Sequence, residues 1–304
     1  MAYLFLILCI LFSAYGVIAG KLYNEKNENK DLSPCYNLLQ VVAAFVCWAS
    51  FACISGEFNI CVLPYSLGFA FFLSSNAFFL IRALKTGSAA ITSLFLNFSN
   101  IITSLYSVIF WGYKLSWFCI FGLIFAAISF IFCVSEGKKD KKQCENGSTV
   151  ETITQSKNNS GFSVKWLVYA LLAMITNSGC SIVQREQQIA FDYKSGNLCM
   201  AFATLFSCIF FFISFLLRKD KTQKPLKKTL VFPVSAGITN FALNLFVILL
   251  ASSTLSPSFI YPVAGVGSIL TVTVFSYFAF KEKITPVKFA GLFFGIVATV
   301  LLSL

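Results

Sequence analysis

The feature that most constrains this chain is the recurrence of uninterrupted apolar runs about as long as a bilayer is thick. A helix needs about 20 predominantly apolar residues to cross the hydrocarbon core. Ala2–Gly20, Trp117–Ser135 and Leu198–Leu217 each meet that length, and such runs continue to the last residue. In lipid every backbone N–H and C=O must be satisfied within the protein, so these segments become helices. Only 12% of the residues are charged, about half the usual share in a soluble domain. A soluble, Phe-rich core fails because the segments are apolar on all faces. A signal-peptide reading of the first run fails because no basic stretch precedes it.

The runs predict an all-α integral membrane protein of ten transmembrane helices. The spans are Ala2–Gly20, Tyr36–Ser55, Val62–Leu84, Ser88–Tyr113, Trp117–Ser135, Lys165–Gln184, Leu198–Leu217, Thr229–Ser252, Pro257–Phe280 and Pro286–Leu304. The longest connection, 136–164, is polar and lysine-rich and reads as a flexible cytoplasmic linker. It separates a first five-helix repeat (1–135) from a second (165–304).

Alternate connections of such a bundle lie on one side of the membrane. Of the 23 Lys and Arg, twenty fall on the side holding the connections after the odd-numbered spans, and only Lys114, Arg185 and Lys194 on the other. The basic side is expected to be cytoplasmic. This predicts a multi-pass protein of the plasma (inner) membrane with both termini outside and the linker inside.

The two halves also align. At an offset of 169, Gly68 meets Gly237, Phe72 meets Phe241, Ser107 meets Ser276, Lys114 meets Lys283, and Gly122, Leu123 and Phe125 meet Gly291, Leu292 and Phe294. At an offset of 163, Gly16 meets Gly179. Because each half has five spans, consecutive halves enter the membrane from opposite sides. Two inverted-topology five-helix repeats are an architecture of secondary transporters, with the substrate site near the midplane between the halves.

Residue usage excludes other chemistries. There is no His, and the 11 Cys form no Cys-x-x-Cys pair. Cysteines such as Cys9, Cys47, Cys53, Cys119, Cys133 and Cys208 fall in spans, as small apolar filler. No metal or other cofactor is implied. The formal charge of +11 lies between apolar blocks and reads as a topology signal, not a nucleic-acid surface. No catalytic constellation stands out, so the chain does not read as an enzyme.

The segment Ser256–Leu304 resembles the end of an EamA-type member of the drug/metabolite transporter superfamily. The shared marks are a proline-bearing span (Pro262), the turn Phe280-Lys281-Glu282-Lys283, and a last helix with Gly291 and Gly295. The two-times-five layout extends the resemblance over the whole chain and implies a ten-helix transporter. There are departures. Tyr113 stands opposite Glu282, and Ser93 opposite Pro262. The termini, predicted outside here, lie inside in the usual ten-span members. The small multidrug relatives carry an acidic residue midway along their first helix, and this chain has none there, so proton-coupled export of organic cations through it is not supported.

No ionisable residue lies near the middle of a span; Arg82, Glu186 and Glu282 lie at span ends. Neutral polar residues remain. Ser93, Asn97, Asn100 and Ser104 follow i, i+4, i+7, i+11 and form one stripe on the fourth helix. Asn177, Ser181 and Gln184 form another on the sixth span, and Gly237, Asn240 and Asn244 a third on the eighth. Asn76 lies mid-way along the third, and Tyr261 precedes Pro262 on the ninth. A carboxamide facing lipid leaves its donors unsatisfied, so these stripes are expected to face inward. The candidate substrate-binding residues are Asn76, Asn97, Asn100, Ser104, Asn177, Asn240, Asn244 and Tyr261. Pro257 and Pro262 are expected to kink the ninth span as a hinge. Gly291-x-x-x-Gly295 signals close helix packing, expected within the chain. The expected partners are a small-molecule substrate and membrane lipid, with no nucleic acid, in a monomer or homodimer. The function expected is alternating-access transport of a small neutral or zwitterionic metabolite such as an amino acid or nucleoside. The alternative is a lipid-handling protein or flippase subunit of the same fold.

Overall fold

The computed structural model describes residues 2–27, 32–56, 59–112, 116–145, 164–192, 194–217, 225–251, 257–282 and 285–303. Among them the regular elements are all helical. The long helices are α1 (Ala2–Lys26), α2 (Ser33–Ser55), α3 (Leu63–Thr86), α4 (Ala89–Asn97), α5 (Ser99–Phe110), α6 (Trp117–Glu145), α7 (Val164–Ala190), α8 (Gly196–Leu216), α9 (Val231–Ala251), α10 (Pro257–Ala279) and α11 (Pro286–Ser303). Helices α4 and α5 together make one span, Ala89–Phe110, so the bundle has ten apolar helical segments. Among the described residues seven are long and apolar enough to cross a membrane, and α6, α10 and α11 are apolar over shorter stretches.

Prolines stand in the first turn of α2 and α3 and open α10 and α11. The missing N–H costs nothing there, because the first helical N–H groups have no partner within the helix. Pro257 therefore starts α10 without removing one of its bonds. Pro262 lies inside α10; the side chains of Pro257, Tyr261 and Pro262 fall outside the described residues.

The fold departs from the sequence expectation in two places. The fourth span is not one helix: α4 ends at Asn97, and α5 begins at Ser99, with Phe98 at φ −67° and ψ −9° between them. The Asn97 side chain donates to the Ser93 carbonyl at 2.9 Å. Across the break, Asn177 of α7 donates to the Ser99 hydroxyl at 2.9 Å, and the Ser178 hydroxyl donates to the Ser99 carbonyl at 2.9 Å. Short polar side chains that bond nearby backbone compete with helix continuation. Secondly, α6 runs on to Glu145, into the stretch expected to be linker. Its lysines, glutamates and Gln143 are good helix formers. Residues 146–163 of the expected linker lie outside the described residues.

The most extensive helix pairings all join one half to the other, and they come in matched couples. Helix α1 packs on α9 and α10, and its counterpart α7 packs on α3 and α5. Helix α2 packs on α8 and α9, and its counterpart α8 on α2 and α3. The last helices of the two halves, α6 and α11, pack on each other. This is the pattern an inverted repeat produces.

Small residues allow the closest approaches. A Cβ on Gly237 of α9 would lie 2.2 Å from the backbone oxygen of Gln40 on α2. The Ser129 hydroxyl of α6 donates to the Gly291 carbonyl of α11 at 2.6 Å, and Gly295 lies against Leu94 and Ser129. The Gly291–Gly295 pair thus packs within the chain. The largest apolar cluster, around Leu94, Phe95, Phe98 and Trp166, ties α4 to α6, α7 and α11. Large exposed side chains such as Phe71, Phe212 and Phe293 cover the outside of the bundle, as a surface in contact with lipid requires.

Candidate functional site

A cavity of about 300 Å³ lies between the two halves. Its walls come from α1, α2, α3, α4, α7, α9 and α10. One end is at Asn177 and Ser268, mid-way along α7 and α10. The other is at Gly20, Tyr36, Leu84 and Ala236, near the ends of their helices that lead into the basic connections. The cavity therefore occupies the half of the bundle between the membrane middle and the basic end.

Its polar lining carries no charge. Asn76 of α3 donates to Asn177 Oδ1 of α7 at 3.2 Å. Asn177 Nδ2 then turns to Ser99 Oγ and, at 3.4 Å, to the Leu96 carbonyl. Asn76 Oδ1 is left without a protein partner. Asn97 stands at the broken end of α4, with Oδ1 facing Gly265 of α10. Asn240 lines the α9 wall beside Thr239. Ser13 of α1 and Ser268 of α10 share a hydrogen bond of 3.0 Å. Tyr36 and Gln40 of α2 complete the polar surface, and Phe12, Leu73, Leu80 and Leu243 the apolar one.

Beyond the cavity, toward the basic end, the helices close. Tyr23, Leu32, Tyr36, Ile81 and Ala236 form a buried cluster there, with the Tyr23 and Tyr36 rings 4.9 Å apart. Asn24 Nδ2 donates to the Ile81 carbonyl at 2.9 Å, joining α1 to α3. Asn27 Nδ2 donates to Thr229 Oγ1 at 3.1 Å, joining the end of α1 to the start of α9. Lys21 Nζ donates to the Gly87 carbonyl at 2.7 Å. Glu282, from the turn between α10 and α11, accepts from the Ser88 hydroxyl and the Ala89 N–H and pairs with Lys288 at 3.3 Å. At the opposite end of the bundle Glu186 of α7 accepts from Trp111 Nε1 at 2.8 Å and the Tyr106 hydroxyl at 3.3 Å.

Of the residues singled out in the sequence, Asn76, Asn97, Asn177 and Asn240 line the cavity. Asn100, Ser104 and Asn244 do not line it. The break at Phe98 sets α5 at a new phase, so a stripe projected along one continuous helix does not carry past Asn97. Asn244 instead donates to the Asn240 carbonyl at 2.8 Å and to its Oδ1 at 3.4 Å, bracing that side chain. The Tyr261 side chain lies outside the described residues. Sequence reasoning missed Gln40, a lone carboxamide in the apolar stretch Leu38-Leu39-Gln40-Val41-Val42, which was a usable signal. It also missed Ser13, Tyr36, Thr239 and Ser268; isolated hydroxyls in apolar helices often bond their own backbone and carry little signal.

Among the described residues no group of His, Cys, Asp or Glu is arranged to hold a metal ion. A bundle whose halves exchange helices around an uncharged polar cavity has the layout of multi-pass membrane transporters. The model of the EamA-like transporter family matches residues 164–304, the second half of the chain. The second half of the chain is thus similar to the EamA-like transporters of the drug/metabolite transporter superfamily. No curated protein matches it. A solved crystal structure, described only as that of a protein, is similar over 99% of this chain and 95% of its own, with a TM-score of 0.61 at 12% identity. At that identity the likeness is one of fold.

Proposed function

We propose that this protein is a secondary transporter that carries a small neutral or zwitterionic metabolite across its membrane by alternating access. The observation behind this reading is the cavity itself, which lies between the halves and is lined by four asparagine carboxamides, Gln40 and several hydroxyls without a charged side chain. A solute with net charge entering a low-dielectric site needs an opposite charge to offset its lost hydration. Carboxamides offer a donor and an acceptor together, which suits an amino acid, a nucleoside base or a similar solute. Asn76, Asn97, Asn177 and Asn240 contact the solute, and Asn244 orients Asn240. Tyr261 adds a contact from α10 on the sequence argument alone, with Pro257 and Pro262 as the hinge of that helix. The basic face is cytoplasmic, the membrane is the plasma membrane, and the linker joins two five-helix units.

The test is solute counterflow in proteoliposomes with a panel of amino acids, nucleosides and organic cations. Saturable exchange of a neutral or zwitterionic solute, lost in Asn97→Ala and Asn240→Ala, supports the reading. Exchange restricted to organic cations, or phospholipid scrambling without solute exchange, contradicts it.

A further inference from the structure

We propose that Glu282 is a positioning residue that latches the cavity shut toward the basic face, so that the resting transporter is closed on that side. The inference rests on the transporter reading above and adds to it a gate and the residue that holds it.

Glu282 belongs to the second half, but its carboxylate is spent on the first. Oε1 accepts from the N–H of Ala89, the first residue of α4, at 3.0 Å, and Oε2 from the hydroxyl of Ser88. Lys288 of α11 pairs with the same carboxylate at 3.3 Å. Lys21 of α1 holds the neighbouring carbonyl of Gly87 at 2.7 Å. One short turn, Gly87 to Ala89, is thus gripped from α1 and from the α10–α11 turn. Lys281, just before Glu282, sits in the left-handed region at φ +52°, and the Glu282 N–H closes back onto the Ser276 carbonyl at 3.2 Å, so the carboxylate is presented by a fixed backbone.

These groups are buried: Lys21 is 8% exposed, Ser88 7%, Glu282 8% and Lys288 6%. Two lysines and one glutamate are an expensive way to fill a core, because apolar side chains of similar volume are often as stable or more so. Their use is better explained by a contact that must form and release. The element they hold is the one that matters to the cavity. Helix α4 is only nine residues long, starts at the latch and ends at Asn97 in the cavity wall. Moving its first turn moves Ser93 and Asn97.

The repeat shows that the latch is one-sided. At the offset of 169, Ser88 stands opposite Pro257 and Glu282 opposite Tyr113. Proline has no hydroxyl to donate, and tyrosine is no carboxylate. The basic gate thus has a lysine-paired carboxylate latch, whereas the opposite end is held by Glu186 accepting from the neutral Trp111 and Tyr106. Two gates of unequal strength bias the resting protein toward closure at the stronger one.

The test places a reporter cysteine in the cavity by Thr239→Cys and follows its modification by a membrane-impermeant maleimide added to one face at a time. Peptide mass spectrometry reads residue 239 separately from the native cysteines. With Glu282 intact, residue 239 is labelled from the face opposite the basic connections. Glu282→Ala is expected to raise labelling from the basic face about tenfold and to lower it from the other, as a shifted two-state equilibrium must. Ser88→Ala, which keeps the buried charges, is expected to shift labelling the same way by less. If either variant lowers thermal stability but leaves basic-face labelling unchanged, Glu282 merely caps α4 and the proposal is overturned while the transporter reading stands. If residue 239 is labelled from neither face in any variant, the accessible cavity and the transporter reading fail with it.

Discussion

Asn76 on α3 donates a 3.2 Å hydrogen bond to Asn177 on α7, joining the two halves of the chain at the cavity wall. Asn177 also holds the broken fourth span through Ser99 and Leu96. One side chain therefore touches both the solute space and the discontinuity that shapes it. Asn177→Ala leaves the Asn76 amide and the Ser99 hydroxyl without their partner, at a cost of about 1–3 kcal/mol. The expected outcome is a modest fall in thermal midpoint in detergent together with a loss of uptake of at least about tenfold, the larger effect being on transport.

Gly265 of α10 tests Asn97 without touching it. A Cβ at residue 265 would lie 2.8 Å from Asn97 Oδ1 and 3.2 Å from a methyl of Thr299. Gly265→Ala should displace the Asn97 amide and lower the affinity for solute, seen as a raised half-saturation concentration. Helix propensity gains about 1 kcal/mol from the same change, so stability should hold. Equal loss of folding and transport would count against the assignment of Asn97.

Gly237 and Gly16 are expected to behave oppositely. At Gly237 a methyl meets the Gln40 carbonyl at 2.2 Å, which is backbone and has little room to yield. Gly237→Ala should destabilise the α2–α9 contact by about 3 kcal/mol or more and reduce the yield of folded protein. Gly16 faces the cavity, and a methyl added there would meet nothing within 4 Å. Gly16→Ala should keep or slightly raise the thermal midpoint while narrowing the site, so its effect appears in transport alone.

Asn240 and Asn244 separate contact from bracing. Asn240 lines the cavity, whereas Asn244 reaches it only through Asn240. Asn240→Ala should abolish exchange of the transported solute. Asn244→Ala should raise the half-saturation concentration several-fold at most, and the double variant should be no worse than Asn240→Ala. Independent, additive losses would show that Asn244 acts by another route.

Much of this architecture follows from the order of residues because the bilayer simplifies the problem. Apolar length marks the spans, so the ten helical segments are readable before any contact is known, whereas the packing of each half's helices on the other's is not. Helix ends are less readable: Lys138 to Gln143 look like linker by polarity but are helix formers, and α6 carries through them. The break at Phe98 is hidden because it depends on Asn177 and Ser178, which come from another helix. That break is why Asn97 was readable as a cavity residue while Asn100 and Ser104, projected along an unbroken helix, were not. The four asparagines in the cavity are visible from sequence since hydrocarbon tolerates no unpaired amide. The contact at Glu282 is not, because its acceptor role depends on Ser88 and Ala89, 194 and 193 residues away in the chain, meeting it.

The central claim is that an uncharged polar cavity between the halves carries a neutral or zwitterionic solute. Counterflow into proteoliposomes loaded with a panel of such solutes tests it most directly, with wild-type protein beside Asn97→Ala, Asn177→Ala and Asn240→Ala. The account predicts saturable exchange by the wild type for at least one solute class and its loss in all three variants, each still monodisperse and folded. Undiminished exchange in all three variants would contradict it.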